Sequence, residues 1–159
     1  MCDGRVHPRA QAVSTTIRLA APGDFSGVVR LLQASDLPTA GLEPSLPDFL
    51  VAEEGGRLVG AVGLEVYGDC ALLRSAVVDP GRRGSGVGRD LVERLLQRAR
   101  IRGVREVYLL TTTAERYFPR FGFVPIARAQ VASAVHASEE FRGACPDSAV
   151  AMRRVMQEG

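Results

Sequence analysis

The stretch Val77-Val78-Asp79-Pro80-Gly81-Arg82-Arg83-Gly84-Ser85-Gly86-Val87-Gly88, with the amphipathic run that follows it to Arg102, constrains this chain most. It reads as a strand, a glycine-rich loop and a helix. The strand covers Ala71 to Val78 and grows β-branched towards its end. Pro80 and Gly81 stop it. In the helix, Val87, Leu91, Val92, Leu95, Leu96 and Ala99 recur at the helical period, while Arg89, Asp90, Glu93, Arg94, Gln97 and Arg98 fill the other face. Gly103 stands where a helix C-terminus favours glycine.

A glycine loop that opens a helix suits an anion. The first amides of a helix lack internal partners, and the helix dipole favours negative charge there. Gly84, Gly86 and Gly88 let the backbone approach a phosphate, and Arg82 and Arg83 add positive charge. The bland alternative is a tight turn with no ligand. Two nucleotide motifs fail here. The P-loop needs a lysine, and the chain contains none; the dinucleotide fingerprint starting at Gly84 meets Arg89 where its last glycine belongs. The pattern that fits is Arg83-x-x-Gly86-x-Gly88.

A chain of 159 residues suffices for one domain with a full core. With 46% hydrophobic and 24% charged residues it reads as a soluble globular protein, and a net charge of +2 gives no case for nucleic acid. The absence of lysine removes Schiff-base chemistry. Cys2, Cys70 and Cys145 form no disulfide framework, and with His7 and His136 they show no zinc spacing, so no metal is expected. The N-terminus has no apolar signal core and no run spans a membrane, which makes the cytoplasm the expected location.

Residues 1–13 read as a mobile tail before a single domain over 14–159. Thr15 to Ala20 is a first strand. Pro22 and Asp24 open a helix that runs to about Gln33 on Phe25, Val28, Val29, Leu31 and Leu32. Residues 34–47, with three prolines, form a long loop that either serves the site or plugs the core with Leu37, Leu42 and Leu46. Gly55-Gly56 joins two strands as a hairpin, and Gly68-Asp69 turns into a third. Val107 to Thr112 lies parallel to Ala71–Val78 through a right-handed crossover. Ala114 to Phe121 is a short helix, Phe123 to Ala127 a strand, and Ser148 to Arg153 the last strand. Gln130 to Phe141 is ambiguous.

The loop motif and this element order resemble those of the GNAT acetyltransferases across Thr15 to Val155. A further element of that family, Ala-x-x-Phe-Tyr-x-x-x-Gly-Phe, has its counterpart in Ala114 to Phe123. The resemblance implies an α/β fold: a mixed, mostly antiparallel sheet, a parallel pair splayed at the cofactor site, and helices on both faces. Residues 37–42, 64–68, 109–115 and 140–146 are similar to the arsenic-resistance-associated members, which are often encoded beside arsenic-detoxification genes. It implies acetyl-CoA as cosubstrate and a small amine acceptor, such as an amino acid or an arsenic-bearing analogue. No nucleic acid or membrane partner is implied, and a homodimer is left open.

The resemblance also assigns roles. Loop residues Arg82, Arg83, Gly84, Ser85, Gly86, Val87 and Gly88 hold the pyrophosphate. Ala76, Val77 and Val78 pair with the pantetheine arm, and a backbone amide near Val77 stabilises the oxyanion. Phe118, the second residue of the Phe-Tyr pair, lies with the cofactor; since the usual tyrosine is missing, Tyr117 is the candidate acid, against departure of the thiolate unaided. An alkylammonium titrates at about 10.4, so the acceptor must lose a proton. Glu65, a carboxylate set between Leu64 and Val66, is the candidate base, or else it lies on a solvent face. Arg74 interrupts the next strand and is expected to clamp a substrate carboxylate or to pair with Glu65. Thr111 and Thr112 end a parallel strand, where α/β clefts lie, and are expected to touch substrate. A cofactor-sensing module without turnover, and a protein acetyltransferase, remain as other readings.

Overall fold

In a computed structural model, residues 14–157 are described, and the tail expected over residues 1–13 lies outside them. Seven strands form one sheet: β1 (Thr16–Leu19), β2 (Phe49–Glu54), β3 (Arg57–Tyr67), β4 (Cys70–Val78), β5 (Glu106–Thr111), β6 (Val124–Ile126) and β7 (Val150–Val155). Their order is β1-β2-β3-β4-β5-β7-β6, antiparallel throughout except for the β4–β5 pair. The Gly55-Gly56 turn closes the β2–β3 hairpin with both glycines at positive φ, which the right-handed twist of paired strands requires.

The helices are α1 (Phe25–Ala34), the single turn α2 (Leu42–Ser45) and α3 (Val87–Ile101). α3 buries Val87, Leu91, Val92, Leu95, Leu96 and Ala99 on one face of the sheet, against Leu50, Val62, Leu64, Leu73 and Leu109. Each large side chain buried there contributes about 1.5–3 kcal/mol. The helix ends in a Schellman motif, with the Val104 amide on the Ala99 carbonyl and the Gly103 amide on that of Arg100. On the opposite face α1 packs Val28, Leu31 and Leu32 onto Phe49, Val51, Leu58, Ala61 and Val77. Beside it, Val131 and Val135 cover Leu72, Tyr108 and Ala151. The sheet is therefore layered on both sides.

Two elements differ from the sequence expectation, and one ambiguous segment is resolved. Ala114 to Phe121 is no continuous helix: a turn at 114–117 is followed by a 3-10 turn at Phe118–Phe121. Pro119 lacks an amide and Gly122 stops the turn at φ 87°, so no longer helix propagates. Gln130 to Phe141 resolves into 3-10 turns at Arg128–Gln130 and Ser133–Ala137, followed by an irregular turn over Glu140–Ala144. The last strand falls at Val150–Val155, two residues later than Ser148–Arg153. The long loop does both of the things considered for it: Leu42 and Leu46 are buried in the core, while residues 35–38 face a cleft. Among the described residues, no helix is long and apolar enough to cross a membrane.

Candidate active site

β4 and β5 pair only from Cys70 to Leu72 and from Glu106 to Tyr108. Beyond that point both strands continue, β4 to Val78 and β5 to Thr111, without pairing. The gap opens a cleft of about 970 Å³. One end is lined by Ala76, Val77, Val78, Arg82, Arg83, Gly84, Gly86 and Gly88, the other by Arg74, Ser75, Glu140, Cys145 and Pro146.

A bulge in β4 shapes the cleft. Ala61 faces Val77 and Gly63 faces Arg74, so Ser75 and Ala76 together oppose Val62. Ser75 takes φ 61°, uncommon outside glycine. The extra residue inverts the alternation: Arg74 lies on the face of Leu72, and so does Val77, whereas Ala76 and Val78 turn to the α3 side. The Asp79 amide donates to the Val59 carbonyl at 2.8 Å, and Gly60 faces Val78. Antiparallel alternation then directs the Val77 amide to β3 and leaves those of Ala76 and Val78 on the open edge.

At the loop end, Gly86 (φ 92°) caps α3, and a Cβ built on it meets open space. Arg82 is tied to Glu54 at 2.7 Å, and its Nε is buried without a partner. Arg83 donates to Ser35 Oγ at 3.0 Å. The Ser85 hydroxyl donates to the Arg82 carbonyl and helps to shape the turn. Tyr117 lines the cleft with its hydroxyl near Gly88, at the start of α3, and burial raises its pKa. Arg120 lies over its ring at 4.4 Å. The structure thus brings Tyr117 together with the loop. Phe118 is buried in the core against Phe121 and Phe123 and touches the cleft from there. Thr111 Oγ1 accepts from the Ala114 amide at 2.9 Å and holds the turn; Thr112 stands beside it on the cleft wall.

At the other end, Glu65 and Arg74 meet. Glu65 faces Leu72, so Arg74 is its diagonal neighbour on the same face. Arg74, whose side chain is fully buried, donates from Nη1 to Glu65 Oε2 at 2.8 Å and from Nε to Ser75 Oγ at 2.9 Å. Glu65 also accepts from the Tyr67 hydroxyl at 2.7 Å, and Ser45 Oγ lies 3.3 Å away. Burial pushes the Glu65 carboxyl up, but hydrogen bonds from Ser138, Arg74 and Tyr67 outweigh it and hold it below the ordinary range. Burial and the Glu65 charge push Tyr67 up to about 12. Glu65 is therefore on no solvent face, and it is not among the residues that line the cleft.

Sequence reasoning missed one side chain. Glu140 is 3% exposed and lines the cleft, with Oε2 3.6 Å from Arg74 Nε. Burial, and then Glu65, push it up to about 7, although Arg74 pulls the other way. It lies in the segment that was ambiguous between helix and loop, so nothing gave its direction. Burial and Glu140 push the neighbouring Cys145 thiol up to about 12, so it stays protonated. No group of His, Cys, Asp or Glu among the described residues could hold a metal ion.

A sheet split at one parallel pair, with a glycine loop and helix at the split, defines an acetyltransferase architecture. The acetyltransferase (GNAT) domain family matches residues 46–125, and the chain belongs to it. It is an acyltransferase domain, and acetyl-CoA is the cosubstrate that fits it. The chain is 34% identical over 136 residues to an amino-acid acetyltransferase of Mycobacterium tuberculosis, a match covering 72% of this chain and 78% of the relative. In structure it resembles Rv2747 from Mycobacterium tuberculosis, solved in complex with CoA, with a TM-score of 0.76, 26% identity, and 89% of this chain and 99% of that one covered. It shares the fold of N-acetylglutamate synthase from Neisseria gonorrhoeae at a TM-score of 0.78 and 21% identity, over 91% of this chain and 35% of that one. The chain likewise spans only about three tenths of several other curated amino-acid acetyltransferases.

Proposed function

We propose that this chain transfers the acetyl group of acetyl-CoA to the amine of a small molecule. The carrying observation is the single cleft that joins the glycine loop to the buried Arg74–Glu140 end. On this reading the pyrophosphate meets the amides at the start of α3, where Arg82 and Arg83 stand. The pantetheine arm runs along the open edge of β4 at Ala76–Val78. An amide on that edge, beside Val77, faces the thioester carbonyl and stabilises the oxyanion. Tyr117 belongs to the cofactor end, and Glu65 serves by fixing Arg74.

The acceptor enters between residues 35–38 and Glu140, Cys145 and Pro146. Both segments line the cleft, and a site walled by two loops favours a small acceptor over a peptide. The relatives named amino-acid acetyltransferase support an amino acid, with its carboxylate near Arg74. An arsenic-bearing amino-acid analogue is the narrower form of the same acceptor class, and it rests on the similarity of residues 37–42, 64–68, 109–115 and 140–146 alone. The test is thiol release from acetyl-CoA over a panel of amines with and without carboxylates, with products identified by mass spectrometry. Acetyl-CoA hydrolysis with no acceptor-dependent rate would overturn the proposal.

A further inference from the structure

We infer that Glu140, and not Glu65, is the side chain that takes the proton from the acceptor amine. The inference rests on the acetyl-transfer reading above and adds a residue to it.

Two carboxylates flank one guanidinium, and the arginine does not treat them alike. Its Nη1 donates to Glu65 at 2.8 Å. Its Nε carries one hydrogen, and that hydrogen goes to Ser75 Oγ at 2.9 Å. Glu140 at 3.6 Å receives charge from Arg74 without a hydrogen bond of good length. Glu65 is further saturated by Tyr67 and has no face on the cleft. Glu140 lines the cleft at its acceptor end. A base must reach the proton it removes, and of the two only Glu140 stands where an acceptor arrives.

The remaining groups around Glu140 agree with this role. From β3 it faces the anion of Glu65, with the Tyr67 hydroxyl behind it; from β4 it faces Arg74. From its own segment, the Cys145 thiol donates to it, and Glu139 is its exposed neighbour. Two carboxylates with one shared cation are driven apart in proton affinity, one fixed as an anion and the other left able to gain and lose a proton near neutrality.

The Glu140 carboxylate takes one proton from the acceptor ammonium. The freed lone pair forms the C–N bond to the thioester carbonyl carbon, and the carbonyl electrons move to oxygen. As they return, the C–S bond breaks and the thiolate leaves with the pair. The second proton on nitrogen passes to that thiolate, giving CoA as the free thiol, and Glu140 returns its own proton to water.

The experiment compares Glu140→Gln with Glu65→Gln in pH–rate profiles of kcat/KM, using the best acceptor of the amine panel. Acetyl-CoA affinity by calorimetry and melting temperature serve as controls for folding. Glu140→Gln is expected to lower kcat/KM by about 10²-fold or more, with acetyl-CoA binding unchanged, and to abolish the acid limb centred at about pH 7. Glu65→Gln is expected to keep that limb but move it to lower pH, because the anion that raises Glu140 is gone. Glu140→Asp should recover part of the rate. A limb that survives in Glu140→Gln and vanishes in Glu65→Gln overturns the inference in favour of Glu65. An unchanged kcat/KM in Glu140→Gln overturns it outright. If the unaltered chain acetylates no amine of the panel, the functional reading itself fails and the inference falls with it.

Discussion

Glu140→Gln should make the protein more stable at pH 8 and leave its stability nearly unchanged at pH 4. A buried carboxyl whose pKa rises from the ordinary 4.5 to about 7 binds its proton more tightly in the folded state than in the unfolded one. Between those values the folded state holds more protons, so stability falls as pH rises. At about 1.4 kcal/mol per pH unit, the loss by pH 8 is about 3 kcal/mol. Glutamine has the shape of the protonated acid and no charge to lose, so the variant escapes this loss. Glu65 keeps its hydrogen bonds from Arg74 and Tyr67 in both proteins, and its titration cancels in the difference. The gain at pH 8 corresponds to about 6–12 °C in Tm for a domain of this size. Urea unfolding at pH 4, 5, 6, 7 and 8 measures it: the two proteins should nearly coincide at pH 4, diverge up to about pH 7 and keep that difference at pH 8. A difference independent of pH over that range, or a variant less stable at pH 8, would refute the reasoning.

Three further outcomes follow from the same geometry. Arg74→Met leaves Glu65 and Glu140 buried without their cation; it should cost about 3–5 kcal/mol at pH 8 by chemical denaturation, and the cost should shrink towards pH 5 as the carboxyls take up protons. Gly86→Val places a branched side chain at φ 92° on the cleft wall; calorimetry should show acetyl-CoA affinity lost by more than tenfold, with a fold destabilised by only about 1–2 kcal/mol. Gly63→Ala drives a Cβ to 2.1 Å from the Phe49 ring, which is fully buried; thermal melts should show a loss of about 1–3 kcal/mol at unchanged acetyl-CoA affinity.

The fold was legible wherever the signal was local. The period of α3, the Gly55-Gly56 turn and the glycine loop each depend on neighbours within a few residues, and each appears where the sequence puts it. The pairing of Glu65 with Arg74 was half legible: the Gly68-Asp69 turn sets an unbroken register from Tyr67 opposite Cys70 to Gly63 opposite Arg74, but the bulge that follows at Ser75 and shapes the cleft is announced by no residue type. The failures share a cause. Residues 114–121 carry a helix-like apolar pattern, yet Pro119 and the packing of Phe118 and Phe121 onto the sheet hold them in turns. Glu140 was invisible as a site residue because its place depends on contacts with strands more than sixty residues away, and its segment has no period of its own.

The same bulge ties the two ends of the cleft together. On a regular strand, side chains at 72, 74, 76 and 78 would share one face, and Arg74 would be followed by Ala76 and Val78 under α1. The extra residue sends Val77 there instead, where it packs with Val28, Leu31 and Ala61, and it turns Ala76 and Val78 towards α3. β4 can therefore bury a charged residue on one face and, three residues later, anchor itself in the apolar core of that face while its backbone edge stays open to the cleft. Pairing with β5 must stop before the bulge, since a kinked strand cannot keep a parallel ladder, and it does stop at Leu72. The gap so formed is the space between the arginine with its two carboxylates and the glycine loop. A single backbone irregularity thus sets how far the Arg74 cluster stands from the glycine loop, and that spacing is fixed by core packing on both faces rather than by the loop itself.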